Sequence, residues 1–322
     1  MNDVASIEPG ALARALGLSA AQATAAFGAI EEVAHADGAL GARTAHLVEA
    51  VRRALDVTSP TASGPTVSAA FPSPGMRRAL VDALVLVACI EGEISVARER
   101  AVHEIGKELG VRSPWADLLP ALRKGKVLTI KRALASRSPD ARRLFRRTWE
   151  EEGLAGMARA LLFVLGLHRD EALAARFHAL AACPEGSFGR AVTDHFREKG
   201  ITYPGEKNGI PERMVHHDLL HVLNGYDTDP AGECELAAFY CAFAEGEAFT
   251  FIVIALATFH LGLRVSPAVV TPARGAFDPE RALAAFLRGR AVQVDVMGKW
   301  DYWALMPLPM PEARARLGIA EA

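Results

Sequence analysis

Leucine, valine and alanine recur at helical spacing through the first 120 residues, and the pattern repeats itself. The segment 33–57, VAHADGALGARTAHLVEAVRRALDV, aligns at an offset of 54 with 87–111, VACIEGEISVARERAVHEIGKELGV. Asp37-Gly38 falls on Glu91-Gly92, Leu40 on Ile94, Val51 on Ile105 and Leu55 on Leu109. The repeat predicts two helical hairpins, each with an acid-Gly turn that ends one helix before a second carries apolar residues at helical spacing. Residues 58–75, rich in Pro, Ser, Thr and Gly, read as a loop inside this region, because the repeat straddles them. Further on, Val127, Ile130 and Leu134 fall at helical spacing, followed by Leu144, Phe145 and Trp149. The most apolar stretch, 236–263, is interrupted at Glu245, Gly246 and Glu247. Its uninterrupted part is shorter than the ~20 residues a bilayer span needs, so a buried helix or a helix pair broken near Gly246 is expected.

The densest chemistry lies in 214–233, MVHHDLLHVLNGYDTDPAGE. His217 and His221 are four residues apart, so on a helix they leave the same face and their imidazoles can converge on one ion. Gly225, Asp227, Asp229, Pro230 and Gly232 supply turn residues, so that a helix ending near Asn224 can reverse and return Glu233 as a third ligand. Asp218 points roughly 100° around the helix from His217, and either reaches the ion or orients one of its ligands. The mixed nitrogen and oxygen donor set suits Zn2+, and also Fe2+ or Mn2+. Glu245 and Glu247 are costly charges in apolar surroundings; pairing with Arg213 or Arg264 is one reading. A hydrogen bond to a ligand histidine, or a proton-carrying role, is the other. His216 and His260 read as structural.

The pattern H-D-x-x-H, eleven residues, then Glu, as His217, Asp218, His221 and Glu233 stand, resembles the metal-binding signature of the fourth ubiquinone-biosynthesis protein family. PEGSFGR at 184–190 and WDYWALMPLPMPEARARLGI at 300–319 also resemble it, so that the likeness runs over about 169–318. The resemblance implies an all-helical domain holding a divalent metal, usually zinc, with all four motif residues as its ligands, beside a groove for a polyprenylated ring. It also implies a part in coenzyme Q assembly, with removal of the ring carboxylate and hydroxylation at the same carbon. On this reading the protein is a metal-dependent oxidative decarboxylase that meets a polyprenylated quinone precursor and other ubiquinone-biosynthesis proteins. The rival readings are a non-catalytic lipid-binding scaffold and a stress-response module. The last arises because the repeated acid-Gly turn resembles the tellurite-resistance TerB family, a compact helical bundle, over about 20–119. That resemblance makes Asp37, Glu91 and Glu93 candidates for a second metal site. The chain departs from it at Thr44 and Arg98, where glutamates are expected.

The expected architecture is therefore all-α: a TerB-like helical bundle at 1–122, a basic helical linker at 123–168, and a metal-binding helical domain at 169–322. A chain of 322 residues is long enough for two such cores. The net charge of −2 gives no global attraction to nucleic acid or membrane. Locally the balance differs: 123–147 holds ten Lys or Arg and one acid, a charge of +9. That segment reads either as a solvated helix face that docks the two domains or as a contact for an anionic membrane surface. No nucleic-acid motif accompanies it. Four cysteines without CxxC spacing read as reduced, buried thiols. With no basic, apolar leader at its start, the chain is expected to be cytoplasmic, peripheral to the inner membrane where it meets lipid, and able to form a homo-oligomer.

Overall fold

The structure is a computed structural model and describes residues 7–58, 67–137, 169–243, 249–265, 272–296 and 300–320. Glu245 and Glu247, the side chain of Arg213, loop residues 59–66 and linker residues 138–168 lie outside the described residues. The fold is all-α, with no strand among the described residues. The described residues form two compact units: Met1–Arg137 with Asp229–Ala242 and Ala248–Arg290, and Ser138–Thr228 with Phe243–Glu247 and Ala291–Ala322.

In the first unit, the two halves of the repeat form the helix pairs Ala20–Ala34 with Ala42–Leu55, and Pro74–Cys89 with Val96–Glu108. Ser19 opens the first helix with a capping box: its hydroxyl accepts from Gln22 N, and the Gln22 side chain accepts from Ser19 N. Ser95 caps Val96–Glu108 in the same way by accepting from Arg98 N. Between the members of each pair, Gly38 and Gly92 take positive φ, 95° and 84°, at positions the offset of 54 makes equivalent. A side chain at either would strain the turn. Alanine dominates the inward positions of Ala20–Ala34, alongside the buried Phe27, Ile30 and Val33, so the helices can approach closely.

Helix Val127–Arg137 turns Ile130 and Leu134 fully inward, while Lys124, Lys126, Leu128, Lys131 and Arg132 are exposed. The apolar stripe legible there is thus core, and the solvent-facing side is the basic one. The apolar stretch beginning at Leu236 divides into helices Pro230–Phe243 and Phe249–Ala255, the second running into a π-helical turn, Leu256–His260. No helix among the described residues is long and apolar enough to cross a membrane. Helix Pro279–Gly289 closes on Pro230–Phe243 through the Glu235–Arg281 ion pair and an Arg290 side chain that donates to Ala242 O at 3.0 Å. His260 is fully buried: Nε2 donates to Ile90 O at 2.9 Å and Nδ1 accepts from Phe277 N at 3.1 Å. Both its nitrogens are thereby committed to backbone.

The second unit is organised by the two segments flagged at 184–190 and 300–319, which bind one another. Phe188 N donates to Leu308 O at 2.9 Å, Gly189 N to Met306 O at 2.8 Å, and Met310 N to Gly186 O at 3.0 Å. Ser187 at the same point caps helix Phe188–Lys199. Phe177, Phe196, Tyr203 and Trp303 pack as a ring cluster, with Arg176 3.9 Å over the Trp303 face. This cluster and the C-terminal helix Met310–Leu317 frame helix Val215–Asn224, whose last turn is held by Arg314 Nε donating to Leu223 O at 2.7 Å.

Candidate metal centre

Helix Val215–Asn224 forms because Val215, Leu219, Leu220 and Leu223 give it a continuous apolar face, each fully buried. It stops at Gly225, whose φ of 70° lets its N–H return to His221 O at 2.8 Å. Three histidines ride on this short helix, and their partners separate them. His216 Nδ1 accepts from Trp300 Nε1 at 2.8 Å, and its ring meets Tyr302 edge-on at 5.4 Å. His216 is thus tied to the C-terminal segment, while Tyr302 in turn donates to Glu212 Oε1 at 2.7 Å. Burial, and then the Glu212 carboxylate, hold the Tyr302 hydroxyl well above the ordinary phenol range, so it serves as a donor.

His217 and His221 point the other way. His221 is 1% exposed, and His217 is more accessible. His221 Nδ1 lies 3.2 Å from Tyr226 O. A carbonyl only accepts, so Nδ1 carries the proton and Nε2 presents its lone pair. That Nε2 lies 3.2 Å from His217 Nε2. Two imidazole nitrogens on one tetrahedral zinc at ~2.05 Å stand roughly 3.3 Å apart. Right-angle ligation at slightly longer bonds gives roughly 3.1 Å, so the spacing serves zinc, iron or manganese alike.

Glu233 enters from the first turn of Pro230–Phe243, where Asp229 Oδ1 accepts from Gly232 N at 2.7 Å. One ligand atom each from His217, His221 and Glu233 lies within 4.8 Å of the others, a group that could hold a metal. Asp218 is not part of this group. Cys234, next in sequence, is buried and its thiol is pushed up to about 12, by burial first and then by Glu233 and Glu235. It stays a thiol, and the donor set is two nitrogens and one oxygen.

One neighbour was not singled out in the sequence. His195, on helix Phe188–Lys199, stacks on His221 with 6.5 Å between ring centroids and 16° between planes. Its Nε2 is buried and has no hydrogen-bond partner among the described residues. Burial, then the proximity of His221 and Lys199, lowers its pKa to about 4, so the ring is neutral near pH 7. His195 sits outside the spaced motif, and only the packing of two helices brings it there.

The second set of candidates is differently occupied. Arg98, 3% exposed, places Nε 2.9 Å from Asp37 Oδ2, and Asp37 Oδ1 accepts from Ser95 Oγ at 2.6 Å. Glu91 accepts from Thr44 N at 2.8 Å and Thr44 Oγ1 at 2.6 Å. These hydrogen bonds, with Arg98 and Arg43 nearby, outweigh burial and hold its carboxyl below the usual range. The offset of 54 maps Asp37 onto Glu91 and Thr44 onto Arg98, so each acid is answered by the other repeat. Asp37 is thus paired with Arg98 and Glu91 with Thr44, and Asp37, Glu91 and Glu93 join no ligand group among the described residues. Arg98→Ala strands Asp37 beside a void. Asp37 is one-third exposed, so the expected loss, read by urea unfolding, is about 2–3 kcal/mol, less than for a fully buried pair. Arg98→Met, which retains most of the volume, should lose less.

No family model, curated protein or solved structure matches the chain.

Proposed function

We propose that the chain is a divalent-metal protein of ubiquinone biosynthesis that binds a polyprenylated ring precursor and acts in decarboxylation and hydroxylation at ring carbon 1. The observation that carries this reading is the approach of His217 Nε2 and His221 Nε2 to 3.2 Å with a Glu233 oxygen in reach. His217, His221 and Glu233 would hold the ion, with Zn2+ the first expectation and Fe2+ or Mn2+ equally suited to the donors. When bound, such an ion supplies a Lewis acid for a carboxylate or phenolic oxygen of the ring. Zinc has no redox chemistry, so with zinc the oxidant for hydroxylation comes from a partner protein.

The protein's own residues prepare that centre. The Tyr226 carbonyl fixes the His221 tautomer, Trp300 keeps His216 turned away, and buried Leu219, Leu220 and Leu223 hold the helix in place. Three protein donors among the described residues favour a working site over a closed structural one, since structural zinc sites use four. That count supports the enzyme over the scaffold reading. The Asp37–Arg98 pair favours this reading over a metal-sensing stress-response module.

The test is to load the purified protein with Zn2+, Fe2+ or Mn2+ in turn. It is then given dioxygen and a 4-hydroxybenzoate bearing a short prenyl chain and a labelled carboxylate carbon. Metal-dependent release of labelled carbon dioxide, lost in His217→Ala, is expected. Binding of the ring without release in any metal form would replace the enzyme with the lipid-binding scaffold.

A further inference from the structure

Buried polar atoms in folded proteins almost always have a partner, and one left without costs about 1–3 kcal/mol. His195 Nε2 is such an atom, in a ring lying parallel to that of His221. The helix that carries it buries Phe188, Val192 and Phe196 against the unit, and His195 flanks that face at half burial. A leucine would fill the volume without an unpaired nitrogen.

We propose that His195 is a positioning residue of the metal centre: its buried Nε2 accepts a hydrogen bond from the water or substrate hydroxyl held at the His217–His221–Glu233 group. It is not itself a ligand, because the ligand atoms that converge within 4.8 Å come from His217, His221 and Glu233. Its place is one step outward, beside His221 and on a different helix. The inference rests on the metal reading and adds a fourth residue to it. Partners of this kind orient what the ion binds and raise its affinity, and their loss typically weakens metal binding about 10–100-fold.

Co2+ is the probe, because its visible absorption reports the ligand field directly and its affinity can be measured by chelator competition. The full chain is titrated as wild type, His195→Ala, His195→Gln and His221→Ala, each checked for helix content by circular dichroism. Wild type is expected to bind one Co2+. His195→Ala should bind at least tenfold more weakly with an altered spectrum, and His195→Gln, which keeps an acceptor, should recover most of the loss. An unchanged affinity and spectrum in His195→Ala, with His221→Ala devoid of bound Co2+, would overturn the role of His195 and leave the metal centre standing. If wild type itself takes up no Co2+, the metal reading fails and this inference with it. Should His195→Ala unfold, the folded His195→Gln and a His195→Leu variant of matched volume decide the same question, since only the first retains an acceptor.

Discussion

The double variant His217→Ala, His221→Ala is expected to lose its divalent metal almost completely, from about one ion per chain to under a tenth. The measurement is elemental mass spectrometry on protein purified without chelator. The expectation follows from the geometry: two of the three donors leave, and the remaining carboxylate of Glu233 is a weak site by itself. Removing His221 alone also empties a position 1% exposed, and the void adds an expected 1–2 kcal/mol of destabilisation. His217, the more accessible of the pair, is therefore the cleaner single variant: metal loss without much loss of fold. Glu233→Gln keeps the shape but removes the charge, and should retain metal weakly. Metal-free wild-type protein would reduce the two imidazoles to a hydrogen-bonded pair and remove the basis of the proposed function.

The His-x-x-x-His pair was legible because helical periodicity alone places residues four apart on one face. The return of Glu233 was legible because Gly225 and Pro230 mark where one helix ends and the next begins. Asp218 was not resolvable by the same argument: one residue is too short a step for periodicity to decide. The first repeat gave the turns at Gly38 and Gly92, since the acid-Gly signal is local. It could not give the exchange of partners between Asp37 with Arg98 and Glu91 with Thr44, which exists only once the hairpins pack. The stripe Ile130 and Leu134 was legible as apolar, but what covers it is a tertiary fact, and both side chains are core. Grouping of the helices of 229–242 and 248–290 with residues 1–137 is likewise set by which faces meet, as in Glu280 with Arg53 and His260 with Ile90, and no linear pattern announces it. His195 belongs to the same class: its partner His221 is 26 positions away, beyond the reach of any spacing rule.

Gly189→Ala is expected to cost about 3 kcal/mol and to weaken metal binding with it, although Gly189 is no ligand. A Cβ at Gly189 would stand 2.9 Å from Met306 O, 2.9 Å from Cys183 Sγ and 3.2 Å from Met306 Cβ. The sulfur can be moved aside or removed, but Met306 O cannot retreat, because Gly189 N already donates to it at 2.8 Å. Cys183→Ala in the same chain should therefore restore less than half of the loss in urea unfolding. The nearby Gly186 separates this effect from backbone strain: its φ is 77° but nothing lies within 4 Å of an added Cβ. Gly186→Ala should then cost only the ~1–2 kcal/mol of the left-handed backbone. The link to metal runs through the displaced segment: Trp300 holds His216, and Arg314 holds the last turn of the helix that carries His217 and His221. Unseating residues 300–319 loosens both ends of that helix, so chelator competition should show a lower affinity in Gly189→Ala while His217 and His221 are intact. Unchanged stability in Gly189→Ala would mean that 184–190 and 300–319 are not held together as described, and lost stability with unchanged affinity would dissociate the C-terminal segment from the metal centre altogether.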